Sequence, residues 1–383
     1  MEMKKLPELC NITTGKLDAN AAVENGMYPY FTCGEIPSRI DEYAFDTDAI
    51  LLAGNNAQGN FHVSRYNGKF NAYQRTYVLT AKENCNLDYI YYSLKLALIQ
   101  LKNRSQGSQT KFLTMPILND ISINTSLNQL KIATVLSTLD NKIALNHRIN
   151  AKLEAMAKRL YDYWFVQFDF PNEEGKPYKT SGGKMVWNEV LKREIPEGWE
   201  VKNIFEASDV LYGYPYATEP FDEDNLDFSK KPYKIVRIRD IKSNTFSAKT
   251  TEVVDEKYKT MRNDLLVGMD GYFHMNFWFR NDDFINQRIV RLRKTLISTL
   301  ILYFQISPFI KFKEEMAKGS TVDHLSDKDL KQLFVAIPND NSISDRFDSI
   351  LNMITKNNSE IQKLTDLRDH LLPLLMNGQV VIK

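Results

Sequence analysis

The sequence predicts an α+β protein. Two similar globular domains are separated by two long antiparallel coiled-coil helices, and an approximate two-fold internal repeat relates the halves. Three observations predict this. A central stretch has the apolar spacing of a long helix, a second such stretch lies near the C-terminus, and short motifs recur at a nearly constant offset along the chain.

The central stretch is residues 126–168. There is no Gly and no Pro between Pro116 and Pro171. Apolar residues recur at mixed three and four spacing: Ile132, Leu136, Leu139, Ile143, Leu153, Met156 and Leu160. That is a heptad-like seam. Ser126, with Gln129 three residues on, reads as the N-terminal capping box. At 1.5 Å per residue, about 40 residues span about 60 Å. Asn146 and Asn150 fall at or beside the seam, where buried Asn fixes register and partner. The partner is expected in 342–383, which carries Phe347, Ile350, Ile354, Ile361, Leu364, Leu371 and Leu375, with Asn357 and Asn358 near its middle. Pro373 is expected to kink its last turn and Asn377-Gly378 to stop it.

The remaining segments follow from turn and strand signals. Residues 1–125 read as a mixed domain, dense in turns at Asn25-Gly26, Gly54-Asn55-Asn56, Gln58-Gly59-Asn60 and Asn67-Gly68. Strand-like runs Ala49–Ala53 and Tyr77–Thr80 lie between the turns, and Leu87–Leu101 reads as a buried helix. Residues 169–194 are a polar connection. A second domain, 195–341, starts at Ile195-Pro196-Glu197-Gly198-Trp199 and repeats the order, with an apolar helix at 296–306. Gln74-Arg75 recurs as Gln287-Arg288. At almost the same offset Gly107-Ser108 recurs as Gly319-Ser320, and Leu113-Thr114 as Leu325-Ser326. Asp48–Gly54 parallels Asp264–Gly268.

The chain has 383 residues, 43% apolar and 25% charged, which is ordinary soluble composition. Its three cysteines, Cys10, Cys33 and Cys85, have no metal-ligand spacing and fit a reduced, cytoplasmic protein. No signal peptide is read at the start, and no run is long enough to span a bilayer. The net charge is +1, from 49 basic and 48 acidic residues. A chain that held nucleic acid alone would more often be clearly basic. Charge used on DNA must therefore be local, or come from partner subunits. Paired readers on a duplex place half-sites about 34–36 Å apart or a multiple of that, so two unlike domains on a rod suit a bipartite target. A scaffold would suit the same shape.

The run Leu130-Lys131-Ile132-Ala133-Thr134-Val135-Leu136-Ser137-Thr138-Leu139-Asp140-Asn141-Lys142-Ile143 resembles the central conserved region of type I restriction–modification specificity subunits. The likeness continues through Leu153-Glu154-Ala155-Met156-Ala157 to Trp164-Phe165-Val166. Leu371–Gln379 resembles that family's closing region, 195–199 the start of its second target-recognition domain, and Gly319-Ser320-Thr321 its late turn. The resemblance implies a non-catalytic DNA reader that recruits two methyltransferase subunits through its helices, with restriction subunits joining the full complex. It implies double-stranded DNA as target, an unread spacer set by the helices, and no membrane role. It puts S-adenosylmethionine, Mg and ATP on the partners and no cofactor in this chain. One departure is that the first domain lacks a counterpart of 195–199; Val380–Lys383 is a candidate to fill that place.

Arg suits guanine, and Asn or Gln suits adenine. The first-domain candidates are Asn55, Asn56, Gln58, Asn60, Tyr73, Gln74 and Arg75. The plainer account of the Asn residues is turn chemistry. Because Gln74 and Arg75 recur as Gln287 and Arg288, they suit phosphate contact better than discrimination. In the second domain Lys234, Arg237 and Arg239 alternate on an expected strand, Lys234–Ile241; the plainer account is a solvated edge. The loop 268–274 adds Met269, Asp270 and His274, though a lone His is more often packing. Arg104, Ser108, Lys111, Lys318 and Ser320 lie beside the Gly-Ser turns and suit phosphates. Trp164 and Phe165 read as packing, or as contacts to a methyltransferase partner.

Enzyme readings fail on specifics. There is no Asn-Pro-Pro-Tyr or Asp-Pro-Pro-Tyr of a base-flipping adenine methyltransferase, no Gly-x-Gly cofactor loop and no phosphate loop. No convincing metal-nuclease cluster or His-Cys spacing is visible. The alternative of another class is a structural or adaptor coiled-coil protein without DNA binding; a solitary enzyme comes third.

Overall fold

The two halves carry one order of elements. The computed structural model describes residues 2–56, 61–104, 112–125, 128–216, 232–271, 273–317 and 324–382. In the first half come β1 (Met3–Lys5), α1 (Leu6–Leu9), β2 (Cys10–Thr14), β3 (Tyr28–Phe31), β4 (Ser38–Ile40), β5 (Phe45–Ala53), β6 (Val63–Ala72) and β7 (Thr76–Ala81). Helix α2 (Leu87–Arg104), α3 (Met115–Asp120), β8 (Ser122–Asn124) and the long α4 (Gln129–Tyr161) follow. A hairpin of β9 (Met185–Asn188) and β10 (Arg193–Pro196) comes next; it starts inside 169–194, the expected polar connection, and runs into the expected start of the second domain.

The second half repeats the series as β11 (Glu200–Asn203), α5 (Ile204–Ala207), β12 (Ser208–Tyr212), β13 (Tyr233–Val236), α6 (Ile238–Ile241), β14 (Ala248–Thr250) and β15 (Leu265–Gly268). Then come β16 (Met275–Phe277), β17 (Phe284–Ile285), β18 (Ile289–Lys294), α7 (Thr299–Ala317), α8 (Asp327–Leu330), β19 (Phe334–Ile337) and α9 (Ser342–Met376). The expected helix at 296–306 is α7, which starts later, at Thr299, and runs on to Ala317.

Strand pairing repeats as well. Strands β2, β7, β5 and β6 pair in turn, all antiparallel, as do β12, β18, β15 and β16. The parallel pair β3–β6 recurs as β13–β17, and the antiparallel pair β1–β8 recurs as β11–β19. The halves differ at the short helix α6, which has no counterpart between β3 and β4, and at one strand. Strand β6 is continuous, so the first sheet has six strands in the order β2-β7-β5-β6-β3-β4. Its counterpart is interrupted between β16 and β17, which leaves a four-stranded and a three-stranded sheet. Trp278, in the interruption, is fully buried and donates from Nε1 to Asp283 Oδ2 at 3.0 Å.

The chain divides into two compact units, Met1–Ile143 with Lys363–Lys383, and Ala144–Gln362. Each holds part of both long helices. In the first unit Ile132, Ala133 and Leu136 share a core with Leu6, Leu9, Tyr89, Leu372, Leu375 and Met376, and Ile382 packs against it. In the second, Ala157, Trp164 and Phe165 share a core with Trp199, Ile301, Phe347 and Leu351. Burying a side chain such as Phe165 is worth about 1.5–3 kcal/mol.

Within each unit residue numbers rise along α4 as those of its partners fall along α9, so the segments are antiparallel. In the first, Arg368 donates to Asp140 at 2.7 Å. In the second, Asn150 Nδ2 donates to Asn358 Oδ1 at 2.7 Å, and Asn357 Nδ2 donates to Asn150 Oδ1 at 2.9 Å. Asn146 Nδ2 donates to Glu360 at 3.1 Å. Both seam asparagines are buried, at 1% and 5% exposure, which matches their expected place.

Three details correct the helix expectations. Helix α4 starts at Gln129, where Asn128 Oδ1 accepts the Lys131 N–H at 3.3 Å, so Asn128 is the cap; Ser126 lies outside the described residues. The seam passes through Ala157, which is fully buried, and Met156 is 42% exposed. After Tyr161 the chain makes a wider turn, Asp162–Val166, so the regular helix ends before 168. At the other end, Pro373 stays within α9, and Gly378, at φ +69°, closes the helix as expected, its N–H donating to Leu375 O at 3.2 Å.

Candidate nucleic-acid interface

The loops that hold most candidate residues are built the same way in both halves. The Tyr73-Gln74-Arg75 turn links β6 to β7, and Arg75 O accepts the Gly54 N–H at 2.8 Å. Gly54 O in turn accepts the Leu113 N–H at 2.9 Å. In the second half Arg288 O accepts the Met269 N–H at 3.0 Å, and Met269 O accepts the Leu325 N–H at 2.8 Å. Gly15 sits behind the first turn, where a Cβ would lie 1.7 Å from Ala72 O; Gly213 sits behind the second, where a Cβ would lie 2.0 Å from Asn286 O. Only glycine permits those approaches. Three segments thus converge in each domain: the loop after β5 or β15, the Gln-Arg turn, and the residue before the short helix.

This geometry corrects the alignment of the first loop. Gly54 corresponds to Met269 and Asn55 to Asp270, a wider offset than the one that separates Gln74 from Gln287. Asp48–Gly54 therefore does not align end to end with Asp264–Gly268. Asn55 bridges to Phe112, and Asp270 bridges to His324.

The side chains at these equivalent positions differ. Arg75 is exposed, and its guanidinium lies over the Phe112 ring, 5.8 Å from the centroid. Arg288 is also exposed, but its Nε lies 3.1 Å from Asp270 Oδ2, and the other oxygen of Asp270 meets His324 Nδ1. Gln74 and Gln287 are both exposed, and Gln74 donates to Asp18 Oδ1 at 2.6 Å. Tyr73, Asn55 and Asn56 are half-buried. Met269 is only 5% exposed and packs in the core, so its side chain is not at the surface; its neighbours Asp270 and His274 are half-exposed. Gln58, Asn60, Ser108, Lys111, Lys318 and Ser320 lie outside the described residues, and Arg104 is described only as the last residue of α2.

The expected strand Lys234–Ile241 ends at Val236. Asp240 stops it by accepting the Arg237 N–H at 2.9 Å, which starts α6, and the Ser247 N–H at 3.0 Å. Lys234 lies over the Phe246 ring at 4.4 Å, and Arg239 Nε donates to Ser247 Oγ at 3.0 Å. Burial, then the nearby Arg239, lowers the half-buried Arg237 from its ordinary pKa. These cations therefore do not share one strand face.

Trp164 and Phe165 are core side chains. Trp164 stacks on Phe170 at 4.9 Å between centroids, and Phe165 meets Trp199 edge-on at 5.2 Å. The stack walls a cleft of about 610 Å³ with Tyr178, Glu197 and Asp340. Among the described residues no group of His, Cys, Asp and Glu is placed to hold a metal, and no helix is long and apolar enough to cross a membrane.

Residue-by-residue reading missed Phe112 and His324, the partners of the two arginines. The offset that relates Leu113 to Leu325 relates these two as well, so the signal was in the repeat.

Comparison with known proteins fits this duplication. The family model described as the type I restriction modification DNA specificity domain matches residues 1–155 and again 196–366. The chain is 40% identical over 221 residues to the type I restriction enzyme EcoDI specificity subunit of Escherichia coli, a match covering 54% of this chain and 48% of that protein. It is 26% identical over 324 residues to the MjaIX specificity subunit of Methanocaldococcus jannaschii, covering 79% and 71%. In fold it is similar to the crystal structure of a type I restriction–modification S subunit from M. genitalium, with TM-score 0.61 and 18% identity, covering 98% of this chain and 95% of that one. With its model matched once in each half, the chain belongs to the type I restriction modification DNA specificity family.

Proposed function

We propose that this chain is the reading subunit of a type I restriction–modification complex. Each globular domain reads one half of a bipartite, asymmetric duplex target. The long helices pair as an antiparallel coiled coil, relate the domains by an approximate two-fold axis, set the unread spacer and dock two methyltransferase subunits. Restriction subunits join the full complex. The chain itself does no chemistry; S-adenosylmethionine, Mg and ATP act on its partners.

One observation carries this reading. A single loop framework occurs twice, and its equivalent positions carry different side chains, the half-buried Asn55 against Asp270 and the exposed Phe112 against His324. Frameworks that match while their tips differ suit two half-sites of different sequence, because base edges are read by side chains projecting from a fixed scaffold.

The test is selection from random duplex DNA by the full chain purified with its cognate methyltransferase subunit. A bipartite consensus is the expected result, and exchange of residues 1–125 for another such domain changes one half only. An insertion of about two heptads in 140–155, matched in 353–368, lengthens the spacer and keeps both halves. Sequence-independent recovery, or methyl transfer by this chain alone, overturns the reading.

A further inference from the structure

We propose that the two domains use their shared arginine differently. Arg75 delivers its charge to the phosphate backbone of duplex DNA, whereas Arg288 is a positioning residue, neutralised in place by Asp270, and makes no phosphate contact. The inference rests on the DNA-reading proposal and deepens it, because sequence alone assigns Gln74-Arg75 and Gln287-Arg288 the same role.

The backbone gives both arginines the same seat. Each carbonyl accepts an N–H from the loop after the equivalent strand, Gly54 for Arg75 and Met269 for Arg288. Only the surroundings differ. Phe112, 51% exposed, offers Arg75 a ring face. At an exposed site such a contact is weak, and it leaves the positive charge intact. Among the described residues, no carboxylate pairs with Arg75. The segments nearest in sequence, 57–60 and 105–111, contain Lys111 and no Asp or Glu.

At the second seat Asp270 holds Arg288 and His324 with its two oxygens. For Arg288 to reach a phosphate it would have to leave Asp270 and abandon that carboxylate beside the phosphate. Two like charges that close repel even through bulk water. The exchange also releases no net counterion, because a carboxylate is uncovered for each phosphate covered. His324 braces Asp270 from the opposite strand, so the carboxylate is fixed from two sides.

The experiment measures binding of the full chain to random-sequence duplex DNA across a salt series. Arg75→Gln is expected to weaken binding and lower the slope of log affinity against log salt by about one. The deciding variant is Asp270→Asn with Arg288→Gln, which removes the pair and keeps the net charge. The parental slope is expected, because the pair removed covers no phosphate; affinity is not the readout for this variant. Asp270→Asn alone frees Arg288 and is expected to tighten binding and raise the slope by about one. If the double variant loses about one from the slope, Arg288 touches phosphate and the inference is wrong. An unchanged slope for Arg75→Gln, in a protein whose circular dichroism matches the parent, is equally fatal. If the parent binds no duplex at low salt, with or without its methyltransferase partner, the DNA-reading proposal itself falls and this inference with it.

Discussion

Each unit contains a joint where its α4 segment, its α9 segment and its domain helix meet, and the two joints are built from opposite chemistry. In the first, Tyr92 Oη donates to Asp140 Oδ2 at 2.7 Å, and Arg368 donates to Asp140 Oδ1 at 2.7 Å. The internal repeat carries Tyr92 to Phe304, Asp140 to Leu351, and Arg368 back to Ala157. Leu351 and Ala157 are fully buried in one cluster, and Phe304 packs against it. The same backbone plan thus accepts either a polar triad or an apolar one. The polar joint is 20–25% exposed at Arg368 and Asp140, so water remains close enough to lessen the cost of burying the pair. In the apolar joint Ala157 and Leu351 have no exposure to spare. The two joints share one packing plan, and the polar set lies where water still has some access.

The sharpest way to break this comparison is to put the first joint's acid into the second. Leu351→Asp buries a carboxylate with no cation or tyrosine hydroxyl opposite, since Ala157 and Phe304 occupy those places. A loss of about 4 kcal/mol or more is expected, because an unpaired buried charge is among the costliest single changes. Amide hydrogen exchange resolves it by segment, with 342–362 losing protection before 363–376. A loss under about 1 kcal/mol would mean that the second joint is wetter than its burial implies.

A milder change sharpens the comparison from the other side. Asp140→Ala leaves Arg368 and the Tyr92 hydroxyl with a lost partner, and about 2 kcal/mol of destabilisation is expected after allowance for their partial exposure. Converting the whole triad to its counterparts (Tyr92→Phe, Asp140→Leu and Arg368→Ala together) should return stability to within about 1 kcal/mol of the parent, or above it, as buried ion pairs replaced by apolar groups often do. Urea unfolding of the three proteins side by side decides it. A triple variant as weak as Asp140→Ala would show that the joints are not interchangeable.

How much of this was legible in the sequence depends on the kind of signal. The long helices were, because a seam needs only spacing. Buried Asn146 and Asn150 were, because polar residues at seam positions stand out. The choice of Met156 over Ala157 was not: both fit a mixed three and four spacing, and the close approach that favours Ala shows only when Leu351 and Phe347 are packed opposite. The strand expected over Lys234–Ile241 failed for a local reason, since Asp240 three residues after Arg237 turns the chain into α6. Repeat offsets placed Arg75 over Arg288 correctly, yet the extra spacing near Gly54 shifted the loop alignment. The contrast between Phe112 and His324 was visible in principle, but its meaning lies in what each touches, the Arg75 guanidinium and the Asp270 carboxylate.

The smallest expected effect separates the domains by pH. Lys313 on α7 lies 2.6 Å from Asp329 on α8. The corresponding residues in the first domain are Leu101 and Ile117, both packed against its core. Burial alone would raise the Asp329 carboxyl. Lys313 and Ser326 outweigh it and hold the group at about 2, against an ordinary 3.8. The folded-state pKa is thus the lower one, so the pair's stabilisation is present above about 4 and is lost as pH falls towards about 2. A partly exposed pair is worth about 1 kcal/mol at most. Lys313→Ala should therefore cost up to about 1 kcal/mol at neutral pH and nothing at the acid end, with protection of 327–330 reporting it. Leu101→Ala, which removes buried apolar surface and no charge, should cost the same at both ends. If the cost of Lys313→Ala did not depend on pH, its aliphatic stem and not its charge would be what holds α8.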